Sequence, residues 1–192
     1  MADFENYLHQ HFPISAEGCQ QMAASFKRET IKKGNYFLRS GAYCNRLSFI
    51  QEGILRIYVN MPDREVTQWI STQGSFVSDF SSFFYRQPSS RDIQALADTE
   101  LLTIDYEQYL ALGKEMPVWK EFEKIIIGKC FVFMETRVFD LISLSAEARY
   151  KRLLDQNREL LNQVPLQYLA SMLGMTPETF SRIRKKQSSL NS

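Results

Sequence analysis

Two short amphipathic helices joined by a tight turn are predicted near the end of the chain, and this segment constrains the fold more than any other. The first helix spans Pro165–Leu173, because apolar side chains recur there at i, i+3, i+4 and i+7. Gly174 supplies the left-handed turn that ends it. Thr176 as the N-cap and Pro177 at the first helical position begin a second helix, which extends to about Lys186.

The second helix is predicted to bury one thin apolar edge, formed by Phe180 and Ile183. The rest of its surface consists of hydrogen-bonding and cationic residues: Glu178, Thr179, Ser181, Arg182, Arg184, Lys185 and Lys186. Such a face is typical of a helix that lies in the major groove of double-stranded DNA. The alternative is an ordinary helical hairpin whose charged face is only solvated.

The distribution of charge favours contact with nucleic acid at this end of the chain. Residues 147–186 contain eight Lys and Arg against four Asp and Glu, whereas the whole chain has a net charge of only +1. The preceding 146 residues therefore carry a net charge of −3. A protein whose cations are concentrated at one end is suited to contact phosphates at that end.

Composition excludes several other classes of protein. The 192 residues suffice for one sizeable core and a small second domain, and no apolar run approaches the roughly 20 residues needed to span a bilayer. The beginning of the chain lacks the features of a signal peptide, and the three cysteines are scattered and odd in number, so we expect a cytoplasmic protein without membrane contact.

The chemistry-bearing residues are too sparse for a metal centre or an active site. The sequence contains only two histidines, no CxxC spacing, no P-loop and no recognisable pairing of a nucleophile with a base. We therefore expect neither a metal site nor catalytic residues, and we expect that the protein is not an enzyme.

The pattern over residues 30–106 changes to short β-segments separated by turns. Helices are predicted before it, at residues 3–12 and 15–27. Glycines at positions 34, 41, 53 and 74 and a hairpin loop at Asn60–Asp63 mark the turns. The predicted strands are Tyr36–Leu38, Arg46–Gln51, Ile54–Asn60, Glu65–Ile70, Ile93–Ala97 and Glu100–Asp105. Many short strands with regular turns indicate an antiparallel barrel or jelly roll.

A long helix over residues 117–143 is predicted to be apolar on two sides. One stripe contains Trp119, Phe122, Ile126, Cys130 and Phe133, and the other contains Ile127, Phe131, Met134, Val138 and Leu141. A helix with two apolar sides must be covered on both. The first stripe can pack on the barrel, and the second is most simply covered by the same helix of another subunit, which gives a homodimer. The alternative is a central helix within a monomer.

Barrel, long helix and C-terminal helix-turn-helix, in this order, resemble the Crp/Fnr family of bacterial transcription regulators. Residues 31–59, with Gly34, Gly41 and Gly53 at the expected intervals, are similar to the family's strands and glycine corners, and Gly74-Ser75-Phe76 resembles the start of its phosphate-binding cassette. Val138-x-x-Leu141-x-x-Leu144, leading to Arg149, resembles the family's junction before the DNA-binding domain. Glu178-Thr179-x-Ser181-Arg182 matches the Fnr-type recognition helix.

The resemblance implies an α+β fold in three parts. These are an antiparallel double-stranded β-helix, or jelly roll, of the cyclic nucleotide-binding type at residues 1–115, a long dimerisation helix at 116–145, and a helix-turn-helix DNA-binding domain at 146–192. The family's β-hairpin wing has no counterpart in the sequence, where only the polar segment 187–192 follows the second helix, so we expect weaker or more salt-sensitive DNA binding.

The resemblance also implies an effector pocket, formed here by Gly74, Ser78, Asp79, Arg91, Asp92, Met134 and Glu135. Ser78-Asp79 replaces the Gly-Glu of cyclic AMP-binding members, Arg91-Asp92-Ile93 replaces Arg-Ser/Thr-Ala, and Met134-Glu135 takes the place of the adenine-contacting pair. Asp92 is expected beside the phosphate position, where two anions about 4 Å apart would repel each other by several kcal/mol. We therefore expect that cyclic AMP is not the effector, and that Arg91 pairs with Asp92 or Asp79. Another effector, or none, remains open.

For DNA, the resemblance implies base contacts from Glu178 to cytosine and from Arg182 to guanine, supported by Ser181. Thr176 and Thr179 would contact phosphates, and Arg184, Lys185 and Lys186 would replace part of the missing wing. The expected partners are double-stranded DNA, a second copy of the chain and RNA polymerase. The alternative function is a ligand-binding barrel that acts through protein partners and has an inactive DNA-binding domain.

Overall fold

The computed structural model describes residues 2–190. Within that range the strands are β1 (Lys27–Ile31), β2 (Tyr36–Leu38), β3 (Arg46–Glu52), β4 (Ile54–Asn60), β5 (Glu65–Thr72), β6 (Phe76–Val77), β7 (Asp92–Ala95) and β8 (Thr99–Asp105). The helices are α1 (Ala2–His11), α2 (Ala16–Ala24), α3 (Phe80–Tyr85), α4 (Tyr106–Glu115), α5 (Pro117–Ser143), α6 (Ala146–Asn157), α7 (Leu160–Gln163), α8 (Leu166–Met172) and α9 (Pro177–Leu190). None of the helices in this part of the chain is long and apolar enough to cross a bilayer.

The strands form two antiparallel four-stranded sheets, with the orders β1-β8-β3-β6 and β2-β7-β4-β5. The predicted jelly roll is therefore confirmed, as is the hairpin loop between β4 and β5, which is closed by a 2.8 Å hydrogen bond from the Met61 amide to the Arg64 carbonyl. Side chains from both sheets meet in one apolar core, to which α1, α2 and the first half of α5 also contribute.

A bulge in β5 decides which side chains face the interior near the site. Ile57 of β4 pairs with Trp69, but Tyr58 pairs with Thr67, so Gln68 is an extra residue on β5. An extra residue bends its strand and redirects a side chain. As a result, Gln68 and Trp69 both line the interior, while Thr67 lies on the outer face of the sheet.

The C-terminal helices pack against that outer face. Ile54 and Ile70 of the sheet share an apolar core with residues of α6, α8 and α9, including Leu169 and Phe180. The first helix of the predicted helix-turn-helix, α8, lies directly on β5, and the Thr67 amide donates to the Ser171 hydroxyl at 2.9 Å. This sheet is consequently covered on both faces.

The long helix has the predicted bounds and two apolar sides. Trp119, Phe122 and Ile126 of the first stripe are buried on the barrel, which confirms that part of the prediction. The second stripe is open to solvent in the single chain, each member being 40–67% exposed: Ile127, Phe131, Met134, Val138 and Leu141. The homodimer that would cover this stripe stays a prediction.

Several boundaries differ from those predicted. The second helix was predicted to reach residue 27 but ends at Ala24, and residues 27–31 form strand β1, which was not predicted, because each of them pairs with a residue of β8. The last helix does not end near Lys186 but continues to Leu190, so most of the expected polar tail is helical, and residues 191–192 lie outside the described range. Helix α3 was not predicted, and the domain boundaries at 115 and 145 stay predictions.

Arg56 is the polar centre of the contact between sheet and helices, and its loss is expected to destabilise the protein. Its side chain is 1% exposed, lies between the rings of Tyr58 and Tyr168, and donates to Thr67 at 2.9 Å and Glu65 at 2.6 Å. Arg56→Met removes both hydrogen bonds and the ring contacts. We expect the free energy of unfolding in urea to fall by about 2–3 kcal/mol.

Lys32→Met is the matched control, because it also removes one cation of an ion pair on the barrel. The pair of Lys32 with Asp98 is exposed, and exposed pairs contribute little to stability. If both variants lost the same stability, Arg56 would have no special role in joining the sheet to the helices.

Candidate functional site

A cavity of about 460 Å³ lies between the inner face of sheet β2-β7-β4-β5, the β6–α3 segment and the middle of α5. Most of its wall is apolar, with polar groups concentrated around one charged pair. Five of the seven residues predicted for an effector pocket line it: Gly74, Ser78, Asp79, Arg91 and Met134. Asp92 and Glu135 do not.

Asp79 is held rigidly because it caps α3. Its Oδ1 accepts from the Ser81 amide at 3.1 Å and the Ser82 amide at 3.4 Å, and its Oδ2 accepts from the Ser89 hydroxyl at 2.5 Å. The residue is 4% exposed. The same carboxylate forms an ion pair with Arg91, the Nη1 of which is 3.2 Å from Oδ1. A carboxylate with this many donors is satisfied without any ligand.

Arg91 is bound on a second side as well. Its Nε donates to the Gln68 Oε1 at 2.7 Å, through the residue that the β5 bulge turns inward. The expected structural ion pair of Arg91 is therefore present, and Asp79 rather than Asp92 is the partner. The arginine that the resemblance assigns to a ligand phosphate is already neutralised by the chain itself.

The expectation that Asp92 lies beside the phosphate position is wrong. Asp92 follows Arg91 along the chain, and successive side chains of a strand point to opposite faces. Its carboxylate accepts from the Ser40 amide at 3.1 Å and the Asn60 Nδ2 at 2.7 Å on the outer side of the sheet. Glu135 likewise lies on the exposed surface of α5, one position beyond Met134.

Several lining residues of the cavity were not predicted. Among them, Gln68 accepts a hydrogen bond from Arg91, and Trp69 and Phe133 form part of the wall. The Trp69 and Phe133 rings meet edge to face with centroids 4.5 Å apart. One signal in the sequence pointed to Gln68. The adjacent apolar residues Trp69 and Ile70 break the alternation expected of a regular strand, which indicates a bulge.

The second predicted site is the exposed face of α9. The Thr176 hydroxyl accepts from the Thr179 amide at 3.2 Å, which confirms the predicted N-cap, and Gly174 has the predicted left-handed backbone with φ of 64°. Phe180 and Ile183 are buried as predicted. Anchoring by these two side chains leaves the opposite face of the helix at the surface.

The predicted DNA-contacting residues occupy that surface. Glu178, Ser181, Arg182 and Lys185 line one shallow concave surface together with Pro177. The pKa of Glu178 is lowered by hydrogen bonds from its own amide and from the Thr176 hydroxyl, so the carboxylate is ionised and accepts hydrogen bonds near neutral pH. Thr176 and Arg184 are exposed, and Thr179 is partly exposed. Lys186 forms a 2.9 Å ion pair with Glu147 of α6, which directs its ammonium group toward that helix.

Trp69 connects the two sites physically. Its ring lines the cavity, and the Arg137 guanidinium lies 5.0 Å from the ring centroid. Arg137 in turn donates to the Met172 carbonyl, at the end of α8, at 2.6 Å. One side chain of the sheet therefore lies within two contacts of the turn that precedes α9.

Comparison with known proteins agrees with this architecture. Residues 28–115 match the family model of the cyclic nucleotide-binding domain. CLP of Xanthomonas campestris, described as a c-di-GMP-responsive global regulator that links cell–cell signalling to virulence gene expression, is 20% identical, with 92% of this chain and 93% of that chain covered and a TM-score of 0.70. No curated protein matches the sequence.

Two further solved structures are similar at the same level. FixK2 of Bradyrhizobium japonicum is 17% identical, with 86% of each chain covered and a TM-score of 0.72. A transcriptional regulator of the Crp/Fnr family from Eubacterium rectale is 18% identical, with 94% of this chain and 88% of that chain covered and a TM-score of 0.69. The predicted resemblance is thus confirmed, through the family model of the barrel and the fold of the whole chain.

Neutralising Asp79 is expected to restore an anion site at Arg91. Asp79→Asn keeps a good helix cap, since Asn and Asp cap equally well, but it removes the negative charge beside the guanidinium. An attraction of about 4 kcal/mol between unit charges about 4 Å apart is then available to a ligand anion. We expect the affinity for cyclic AMP, measured by isothermal titration calorimetry, to rise at least about tenfold above that of the wild type.

Asp92→Asn is the control. It also neutralises a buried carboxylate close to Arg91 in the sequence, but this carboxylate faces away from the cavity. Its affinity for cyclic AMP should equal that of the wild type. An equal gain in both variants would mean that general charge, and not the pair of Asp79 with Arg91, excludes the nucleotide.

Proposed function

We propose that the chain is a homodimeric, DNA-binding transcription regulator, because residues 28–115 match the family model of the cyclic nucleotide-binding domain and the whole chain has the fold of the Crp/Fnr regulators. In this proposal α9 is the recognition helix, α5 is the dimerisation helix, and the cavity holds a small effector other than cyclic AMP. RNA polymerase is the protein partner that such a regulator contacts. The three functional parts are residues 1–115, 116–145 and 146–192.

The observation that carries the proposal is the division of α9 into a buried edge and a polar face. Glu178, Ser181 and Arg182 lie at i, i+3 and i+4 and share one exposed surface at the beginning of the helix. An ionised carboxylate accepts from the cytosine amino group, and a guanidinium donates to the O6 and N7 of guanine. Ser181 supports these base contacts.

The remaining polar residues are suited to phosphates. Thr176 and Thr179 lie at the N-terminus of α9, where the helix dipole favours anions. Arg184 and Lys185 extend the cationic surface along the helix, and Lys186 would add to it on exchanging its ion pair with Glu147 for a DNA phosphate. These contacts would provide affinity that is independent of sequence and sensitive to salt.

The exposed stripe on α5 supports a homodimer. Its five residues are separated by four, three, four and three positions, which is the spacing of a two-stranded coiled coil. Each buried aliphatic or aromatic side chain contributes about 1.5–3 kcal/mol to association. A two-fold axis along this helix would present two α9 helices to successive major grooves, about 34 Å apart.

The proposal is tested by electrophoretic mobility shifts on genomic DNA fragments at low and moderate salt. Retention of a small set of fragments that persists at moderate salt supports specific DNA binding. Equal retention of all fragments, lost at moderate salt, or no retention would support the alternative, in which the barrel acts through protein partners.

Arg182→Ala is expected to reduce discrimination at one base pair of the site by about 1–3 kcal/mol. The reason is that a bidentate contact to guanine is lost while the phosphate contacts remain. The measurement is a competition titration with the selected fragment and its single-base variants. Arg184→Ala removes the same charge two positions away, on another side of the helix, so it should weaken binding to all sequences equally. If Arg182→Ala weakened binding to all DNA sequences equally, Arg182 would contact the DNA phosphates and not a base.

Val138→Glu is expected to separate the subunits. Val138 is the fourth of the five residues of the exposed stripe and is 49% exposed, so the substitution affects the folded single chain little. A carboxylate facing its copy across a coiled coil disfavours association. Sedimentation velocity at micromolar concentration should show a monomer with weaker DNA binding. Met61→Glu, at the similarly exposed β4–β5 loop, should remain dimeric. A monomeric wild type, or a dimeric Val138→Glu variant, would contradict the proposed interface.

A further inference from the structure

We propose that the cavity takes an uncharged, predominantly aromatic ligand. This inference rests on the proposed function, in which the cavity is the effector site, and it specifies the chemical class of that effector. It follows from the apolar wall, from the pairing of the charged groups inside, and from the volume.

The wall provides mainly hydrophobic contact. Ile57 and Ile93 face the cavity from the sheet, Phe76 and Phe80 from the segment before and within α3, and Phe133 from α5. A wall of such side chains stabilises a bound ligand mainly when apolar surface of the ligand and of the wall is removed from water. Aromatic rings in particular favour edge-to-face contact with another ring, as Trp69 and Phe133 already show.

The two oppositely charged groups of the interior, Arg91 and Asp79, are already paired within the chain. Arg91 donates to Asp79 and Gln68, Asp79 accepts from α3 and from Ser89, and the Ser78 hydroxyl donates to the Arg46 carbonyl at 3.0 Å. A ligand anion at Arg91 would have to displace Asp79, whose buried carboxylate would then lose its cation. A ligand cation at Asp79 would similarly have to displace Arg91. Leaving one partner of such a pair unpaired is costly, so the interior disfavours a ligand of either charge.

The volume matches a small organic molecule. A cavity of about 460 Å³ lies within the usual range for such sites, which are mostly apolar with a few polar groups that set orientation. Lys129 lines the outer edge of the cavity, where its ammonium group is exposed, donates to the His11 carbonyl at 3.4 Å and lies 4.8 Å from the centroid of the Phe12 ring. Its charge is therefore at the solvent-facing edge and not beside the Arg91 and Asp79 pair.

The probe for the test is N-phenyl-1-naphthylamine, an uncharged aromatic whose fluorescence increases in apolar surroundings. It is titrated into the full-length protein, with and without excess cyclic AMP. Trp69 lies in the wall, so energy transfer from tryptophan to the bound probe should accompany binding and decrease in Trp69→Phe. We expect saturable binding of one probe per chain that cyclic AMP does not displace.

Two variants of β4 distinguish the cavity from the apolar stripe on α5, which can also attract the probe. Ile57→Trp fills the cavity, whereas Val59→Trp adds the same side chain two residues along the same face of the strand, outside the lining. Ile57→Trp should weaken binding by at least about tenfold and Val59→Trp should not. Equal effects of the two variants, no saturable binding, or displacement by cyclic AMP would overturn the inference.

The wild type provides a second measurement that needs no variant. Cys130 lies in the wall and is partly exposed, while Cys19 and Cys44 are buried, so N-ethylmaleimide should alkylate mainly Cys130. Bound probe should slow this alkylation severalfold, as measured by peptide mapping, and an unchanged rate would count against the cavity as the binding site. If the wild-type protein bound the probe in this way but bound no DNA fragment specifically, the proposed function would be wrong and the inference about the cavity would stand.

Discussion

Burial of the sheet β2-β7-β4-β5 on both faces is the constraint on which the rest of the structure depends. Its inner face forms the core and the cavity, while its outer face packs on α6, α8 and α9. A strand that is covered on both sides cannot change its register or its bulge without disturbing both contacts. Arg56 and Asp92 are almost completely buried on the outer face. Both are paired there, because burying an unpaired charge would be costly in free energy.

Alternation along β7 and the bulge in β5 together determine the electrostatics of the cavity. Because neighbouring side chains of β7 point to opposite faces, Arg91 enters the cavity while Asp92 is used on the other side to hold Ser40 and Asn60. The bulge adds Gln68 as a second acceptor for Arg91, and the cap of α3 supplies Asp79 as the first. The arginine that the resemblance assigns to a ligand phosphate is thereby retained, but its charge is balanced by Asp79 within the chain.

The sequence predicted the elements that have strong local signals and failed where long-range pairing decides the outcome. The bounds of α5 and the turn at Gly174 follow from helical periodicity, a proline start and a glycine stop, all of which act within a few residues. Alternation places Arg91 and Asp92 on opposite faces of the sheet, but which of the two faces the cavity depends on how β7 pairs with β4, and no local pattern reveals that pairing. Strand β1 is also decided by long-range pairing. Residues 27–31 carry mainly charged and polar side chains, and they form a strand because they pair with β8. The residues of the polar face of α9 were identified in advance because Phe180 and Ile183 fix which face is buried.

Helix α5 contacts both the cavity and the helix-turn-helix, and under the proposed function this is the route by which a ligand in the cavity would influence α9. Phe133 and Met134 line the cavity, Arg137 holds the carbonyl at the end of α8, and Leu141 approaches Gly174, where an added Cβ would lie 3.2 Å from its Cδ2. The same turns of the helix carry the exposed stripe, to which Met134 and Leu141 themselves belong. A ligand changes DNA binding only if it favours one arrangement of these contacts over another. Trp69 contacts both Phe133 and Arg137, so in this proposal a ligand that moves the Trp69 ring would act on Arg137, which donates to the carbonyl at the end of α8.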